Sequence, residues 1–313
     1  MPERLGSPRE TPLFRRLVLV GIGLIGSSIA LAARRQNLAE RIVAVDKDEG
    51  VRARVAELGL ADEIHADPAQ AVAGADLVIL CVPVGACGAV AKAIAPALAP
   101  GAIVSDVGSV KGAVMASVEP HLPEGVHFVP AHPVAGTENS GPDAGFPTLF
   151  LNRWSILTPA YGTDSDAVER VRAFWQGMGA NVEFMSAPHH DLVLAITSHV
   201  PHLIAYNIVG TAADLERVTE KEVIKFSAGG FRDFTRIAAS DPTMWRDVFL
   251  NNKEAVLEML SRFNEDLAAL ARAIRWDDGE ALHKLFTRTR AIRRGIISEG
   301  QDAPLVDFGR PRE

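Results

Sequence analysis

Residues 128–138, Phe-Val-Pro-Ala-His-Pro-Val-Ala-Gly-Thr-Glu, set a histidine, His132, just past a short apolar run. An imidazole with a pKa near ~6.5 is neutral at physiological pH and can accept a proton from a reacting hydroxyl. The bland alternative is a histidine that merely ends a strand before Pro133. Upstream, residues 17–28 read Leu-Val-Leu-Val-Gly-Ile-Gly-Leu-Ile-Gly-Ser-Ser, a buried-strand run that flows into Gly-x-Gly-x-x-Gly and then a helical pattern. A base and a dinucleotide-binding turn in one domain imply hydride transfer coupled to proton removal.

The glycines have mechanical roles. Gly21 permits the tight turn, Gly23 lets the backbone approach a pyrophosphate, and Gly26 allows close helix–strand packing. Leu24 and Ile25 complete the phosphate-facing turn. Asp46, about twenty positions after Gly26, ends Arg-Ile-Val-Ala-Val-Asp and is suited to the ribose hydroxyls. Its charge would repel a 2′-phosphate, so NAD is expected over NADP, although Lys47 beside it leaves NADP open. Two more loops are expected at the same sheet edge. Val82 and Pro83 stand where a strand stops, either as cofactor contacts or as ordinary termination. Ser109, in Ser-Asp-Val-Gly-Ser-Val-Lys-Gly, is either a site hydroxyl or a helix N-cap ahead of Val110 and Lys111.

Further along, His199 and His202 share one helical face if Pro201 only kinks the turn. No third ligand cluster accompanies them, so no metal is expected. His189, His190 and Asp191 follow a proline at a domain joint and read as a solvent-exposed first helical turn. Trp245 reads as a core residue of the helical part.

The elements that must position these residues follow from periodicity. Apolar runs at 16–20, 41–45, 76–82, 102–106, 126–130, 154–158 and 181–185 alternate with helical stretches, the rhythm of a doubly wound parallel α/β sheet. After about Ala187 the strand-like runs stop and long helical patterns occupy 188–209, 242–270 and 277–297. The expected organisation is a tail over 1–14, disordered or extended, a dinucleotide-binding domain over 15–187, an all-helical domain over 188–300 and a tail over 301–313. The 219–240 stretch mixes helix with a break at Gly229-Gly230. A cleft between the domains would lie at the carboxyl edge of the sheet.

Composition narrows the partners. The 313 residues are 48% hydrophobic with a net charge of −7, which offers neither nucleic acid nor an anionic membrane a basic surface. The N-terminus lacks the apolar core of a signal peptide, and no stretch reads as long and uncharged enough to span a bilayer, so a cytoplasmic protein is expected. Cys81 and Cys87 read as small core or loop residues rather than a disulfide or metal pair.

The ordered set Gly-Ile-Gly-Leu-Ile-Gly-Ser-Ser (21–28), Asp-Val-Gly-Ser-Val-Lys (106–111), His-Pro-Val-Ala-Gly-Thr-Glu-x-Ser-Gly (132–141), Ser-His-Val-Pro-His (198–202), Gly-Gly-Phe-Arg-Asp-Phe-Thr-Arg-Ile-Ala (229–238) and Asp-Pro-x-Met-Trp (241–245) resembles the prephenate dehydrogenase family of tyrosine biosynthesis. The resemblance runs across roughly 15–300. It implies a Rossmann-type N-terminal domain and a helical C-terminal domain that builds a homodimer. The implied reaction is oxidative decarboxylation of prephenate or arogenate with NAD or NADP. The same resemblance implies that His132 is the catalytic histidine bonded to the substrate 4-hydroxyl, with Ser109 as its second partner. It implies Arg236 for the ring carboxylate, His202 for the side chain of the substrate, His199 in support, Glu138 at the mouth of the cleft pairing with Arg236, and Arg232 as a weaker candidate for the second carboxylate. Removing hydride from C4 while a base takes the hydroxyl proton leaves a vinylogous β-keto acid, and aromatisation drives loss of carbon dioxide.

Two other classes share parts of this pattern. A β-hydroxyacid dehydrogenase also joins a dinucleotide domain to helices but typically uses a lysine on the first interdomain helix, and 188–209 contains none. A nucleotide-sensing regulator would keep the glycine turn yet lack Ser109, His132 and Arg236 together. No room for a fused mutase before residue 15 or a regulatory domain after about 300 is expected, so any inhibition by tyrosine is expected to be competitive with substrate.

Overall fold

The computed structural model describes residues 6–216 and 228–298. The expectations for residues 1–5, for 219–227 and for the tail over 301–313 lie outside the described residues. Strand β1 (Phe14–Val20) leads through the glycine turn into α1 (Leu24–Arg35), followed by β2 (Ala39–Val45), α2 (Glu49–Glu57), β3 (Glu63–His65), α3 (Pro68–Ala71), β4 (Leu77–Leu80), α4 (Cys87–Ile94), β5 (Ile103–Asp106), α5 (Lys111–Val118) and β6 (His127–Phe128). These six strands form one parallel sheet in the order β3-β2-β1-β4-β5-β6. The order reverses direction between β1 and β4, so their carboxyl ends flank the crevice where open α/β sheets bind ligands. Both faces are covered: Leu17 and Leu19 of β1 enter one apolar cluster while Val18 and Val20 enter the other. That is the two-residue period of a strand buried on both sides.

The turn between β1 and α1 depends on its glycines. Gly21 has φ +96°, and a Cβ there would stand 2.6 Å from the Cys81 carbonyl oxygen. A Cβ at Gly26 would collide with the carbonyl oxygen of Gly21. Over Gly23 the space is open.

Two of the apolar runs are strands of a different sheet. β7 (Ala131–Pro133), β8 (Trp154–Leu157) and β9 (Asn181–Phe184), with α6 (Ser165–Gly177) between the last two, make a three-stranded sheet. In it β7 and β8 run antiparallel and β8 and β9 parallel. Runs 154–158 and 181–185 therefore do not extend the parallel sheet as expected. An apolar run predicts a strand but not its partner, because pairing is set by contacts distant in sequence. β3, with only three residues in Glu-Ile-His, is too short and polar for its strand to be visible in sequence.

Beyond Phe184 every described element is helical: α7 (Ala187–Leu194), a π-helical turn (Ala195–His199), α8 (Val200–Glu216), α9 (Gly229–Thr235), α10 (Pro242–Asn251), α11 (Lys253–Arg275) and α12 (Gly279–Ser298). Ala187–Leu215 is, by length and composition, apolar enough to cross a membrane, contrary to the sequence expectation. Its inward face, however, carries His190 and His199, both fully buried and hydrogen-bonded to other parts of the chain. These buried polar side chains tie the segment into the protein, while 28% of its most apolar window is buried. Trp245 and Val248 of α10 join the apolar cluster on the α4/α5 face of the sheet, so Trp245 packs at the junction of the two regions.

Gly26→Ala is expected to be overpacked by about 1–3 kcal/mol, because the new methyl group meets backbone that cannot rotate away. Denaturant unfolding monitored by circular dichroism measures this. A stability equal to the parent would mean that the α1–β1 contact is looser than described.

Candidate active site

His132 sits on β7 at the point where the chain leaves the parallel sheet. The backbone of the preceding residue, Ala131, is held from two sides. Ala131 N–H donates to Asp106 Oδ1 at 3.2 Å, and Lys111 Nζ donates to the Ala131 carbonyl at 2.6 Å. Lys111 also pairs with Asp106, both side chains being completely buried. Such a pair is tolerated only with its hydrogen bonds satisfied, and here they fasten the ends of β5, α5 and β7 together beneath the histidine.

Helix α5 has no capping side chain of its own, since its N-cap is Val110. The reading of Ser109 as a helix cap is thereby corrected. The cap comes instead from α7: Asp191 accepts from Lys111 N–H at 2.7 Å and Gly112 N–H at 2.9 Å. A carboxylate at a helix N-terminus also meets the positive end of the dipole. His190 Nδ1 lies 2.8 Å from Asp191 Oδ1, and His190 Nε2 lies 2.8 Å from His132 Nδ1. His190 is fully buried and the Asp191 side chain is 13% exposed, so the expectation of a solvated helical turn is overturned for both, though His189 is exposed. Charge and polarity alone do not reveal burial when the partner is a helix end elsewhere in the chain. The signal available in sequence is the uncapped N-terminus of α5, which needs an outside acceptor.

A second layer comes from α10, α11 and the π turn. Asn252 Nδ2 donates to the Asp191 carbonyl at 2.8 Å and contacts His199 Nδ1 at 3.1 Å. His199 is fully buried, with its Nε2 unpartnered, and the Ser109 backbone adjoins it without reaching hydrogen-bond geometry. The π turn ends just before Pro201, which has no N–H for the carbonyl one turn back. His202 bonds through Nδ1 to the Ser198 carbonyl at 2.8 Å and stacks on Trp245 with ring centroids 3.6 Å apart. Arg236, at the end of α9, is close enough to His202 to disfavour its charged form and donates to Glu138 at 2.9 Å. Thus Ser109, His132, Glu138, His199, His202 and Arg236 converge on one junction. Arg232 is exposed on α9, and its carbonyl accepts from the Arg236 backbone N–H at the end of that helix. Asp106, Lys111, His190, Asp191 and Asn252 were not among the residues proposed from sequence.

The cofactor side is equally local. Asp46 Oδ2 accepts from Ile22 N–H at 3.0 Å and Oδ1 from Asp48 N–H at 3.0 Å, which ties the end of β2 to the glycine turn. Leu24 is buried under that turn, Ile25 packs against the core from its edge, and Val82 lies against Gly21 while Pro83 is exposed beside it. Cys87 is buried and Cys81 nearly so, and burial pushes both thiols up, Cys87 to about 12. No group of three or more metal-ligating side chains occurs among the described residues.

Burial holds His132 well below its ordinary value, with the nearby His190, Lys111 and His199 adding to the effect. Burial also lowers His190, against the pull of Asp191, and lowers His199 to about 4. For Asp191 burial acts upward, but the bonds from His190 and the α5 amides outweigh it and the carboxyl lies below its usual range. Unfolding returns the histidines to about 6.5, so the unfolded chain binds more protons in mild acid. The stability from His132, His190 and His199 is therefore complete above ~6.5 and is lost as pH falls through the folded values. Unfolding free energy measured in denaturant at pH 7.5, 6 and 5 is expected to decline, by up to about 1.4 kcal/mol per pH unit for each buried histidine. A flat profile would contradict neutral burial.

Residues 29–184 match the family described as prephenate dehydrogenase, nucleotide-binding domain, and residues 186–288 match prephenate dehydrogenase, dimerization domain. The cyclohexadienyl dehydrogenase of Zymomonas mobilis is 42% identical over 292 residues, covering 93% of this chain and 99% of the relative. The prephenate dehydrogenase of Bacillus subtilis is 34% identical over 281 residues, covering 90% and 76%. The crystal structure of prephenate dehydrogenase from A. aeolicus, in complex with hydroxyphenyl propionate and NAD+, superimposes with a TM-score of 0.84 at 34% identity, covering 90% of this chain and 98% of that one. With family models matched over 29–184 and 186–288 and relatives of 42% and 34% identity along nearly the whole chain, the chain belongs to the prephenate dehydrogenase family of oxidoreductases.

Proposed function

We propose that this protein catalyses the NAD-dependent oxidative decarboxylation of prephenate to 4-hydroxyphenylpyruvate and carbon dioxide. The observation that carries the reading is the buried His132, neutral at physiological pH, in one junction with His199, His202 and the cationic Arg236. The glycine turn fits a dinucleotide, because the open space over Gly23 admits a pyrophosphate and the α1 amides supply donors. Asp46 would receive the adenine ribose, which favours NAD over NADP. When bound, NAD supplies the acceptor for the hydride from C4. His132 takes the proton of the 4-hydroxyl, and Ser109 holds that hydroxyl in line. Arg236 exchanges Glu138 for the ring carboxylate and binds it bidentately, and this positioning lowers the entropic part of the barrier. His202, braced on Trp245, contacts the side chain of the substrate with His199 behind it. Arg232 is a candidate for the second carboxylate only if the cleft closes over it.

A second reading, dual use of prephenate and arogenate, is favoured by the 42% identity to a cyclohexadienyl dehydrogenase. Exposed Leu257, Ile274 and Trp276 of the α11 region and Phe286 and Ile292 of α12 support a homodimer through the helical half, since such apolar faces are covered in stable proteins.

NADH formation is to be assayed with prephenate and arogenate in parallel, each with NAD and NADP. Prephenate with NAD is expected to turn over, comparable rates on both substrates would establish the dual reading, and silence on both would reject the proposal. His132→Asn is expected to lower kcat by about 10²–10⁴-fold with NAD affinity retained. Arg236→Ala is expected to raise the Michaelis constant for substrate by about tenfold or more, and an unchanged constant would remove Arg236 from the site.

A further inference from the structure

The hydrogen bonds around His132 run in only one direction. Asp191 is an acceptor only, so His190 Nδ1 must carry the proton of the 2.8 Å bond between them. A neutral imidazole has one such proton, which leaves His190 Nε2 as an acceptor. The 2.8 Å contact to His132 Nδ1 then requires Nδ1–H on His132. His132 Nε2 is left as the lone pair, without a partner among the described residues, on a residue that keeps 7% of its surface accessible.

We propose that His190 and Asp191 are positioning residues that fix the tautomer and ring orientation of His132, so that its Nε2 is the base. The proposal rests on the reading of His132 as the base of the reaction. Asp191 suits the role because three donors from two elements pin it, the α5 amides of Lys111 and Gly112 and the His190 ring. Edge-to-face contact between the two imidazoles, with centroids 5.0 Å apart, fixes the angle between the rings. In turnover the O–H bond of the substrate breaks as N–H forms at His132 Nε2, while NAD, when bound, would be the acceptor of the C4 hydride. The resulting imidazolium keeps its Nδ1–H on His190, whose dipole is oriented by the Asp191 carboxylate. The proton stays on His132, and the chain acts by orientation and by stabilising charge. The other charged and titratable groups facing this chain are Lys111 and His199, which oppose a positive His132, and Asp106, which sits under the Lys111 ammonium.

Asp191→Asn separates this role from a structural one. Asp191 Oδ1 accepts from both His190 Nδ1 and Lys111 N–H, so an asparagine whose amide nitrogen turns to His190 keeps the Gly112 bond and gives up the Lys111 bond, and its donation to His190 Nδ1 reverses both rings and places the proton on His132 Nε2. The expected result is a fall in kcat of about 10²–10⁴-fold with the Michaelis constants for substrate and NAD changed less than about threefold. Nitrogen-15 spectra of histidine-labelled protein read the tautomers directly, assigned with His132→Asn and His190→Phe. In the parent, His132 and His190 are both expected to be protonated on Nδ1, and in Asp191→Asn both on Nε2. An Nε2–H tautomer of His132 in the parent would overturn the proposal, as would full turnover by Asp191→Asn. Equal losses of kcat, NAD affinity and melting temperature in that variant would overturn it in favour of a purely structural role. If Asp191→Asn does not fold, the parent spectrum and the turnover of His190→Phe decide. If the parent turns over neither substrate, the functional reading fails while the spectra still test the tautomers.

Discussion

A largely buried carboxylate, Asp191, at the joint between two architectures organises this molecule. Taking Asp191 out of water costs several kcal/mol unless its lone pairs are filled, and they are filled from both sides of the joint. Two donors are the first amides of α5, which follows a strand of the parallel sheet, and the third is the neighbouring His190 on the first helix of the helical half. Separating the halves would therefore strand both a buried charge and a helix end. Asn252 reinforces the same point by donating to the Asp191 carbonyl from the start of α11.

The remaining site geometry follows from that docking. Once α7 is seated against α5, the π turn brings His199 toward Ser109, and the helix that follows sets His202 on Trp245. Trp245 belongs to the apolar cluster that also holds Val84 and Val114 of the nucleotide-binding half, so the stacked histidine is referenced to the sheet. From the other direction, the buried Asp106–Lys111 pair holds the strand of His132. Arg236 and Glu138 close the outer edge as a part-exposed ion pair. Its exposure makes it weak enough to exchange partners.

Much of this was readable from residue types. The alternation of apolar runs with helical stretches, the three glycines with Asp46, and the segments containing His132, His199, His202 and Arg236 carry strong local signals, because turns, strand faces and helix faces are short-range properties. What failed were statements about partners. The strand-like runs at 154–158 and 181–185 are strands, yet they pair with the segment of His132 and not with the parallel sheet. Ser109 was a reasonable helix cap by type, but the cap is supplied from eighty positions downstream by Asp191. His190 and Asp191 look like a polar surface turn, yet His190 is fully buried and the Asp191 side chain largely so, because an uncapped helix end and an imidazole meet them.

By itself the sequence determined a dinucleotide-type α/β half followed by a helical half and the residue types available for proton transfer and anion binding. These are encoded in periodicity, glycine placement and ordered motifs, all of them local. Only the tertiary structure decided which helix caps α5, which sheet carries His132, and that the histidine is backed by His190 and Asp191. Each of those depends on a hydrogen bond between residues far apart in the chain, and a bond of that kind leaves no periodic trace in the residues that make it.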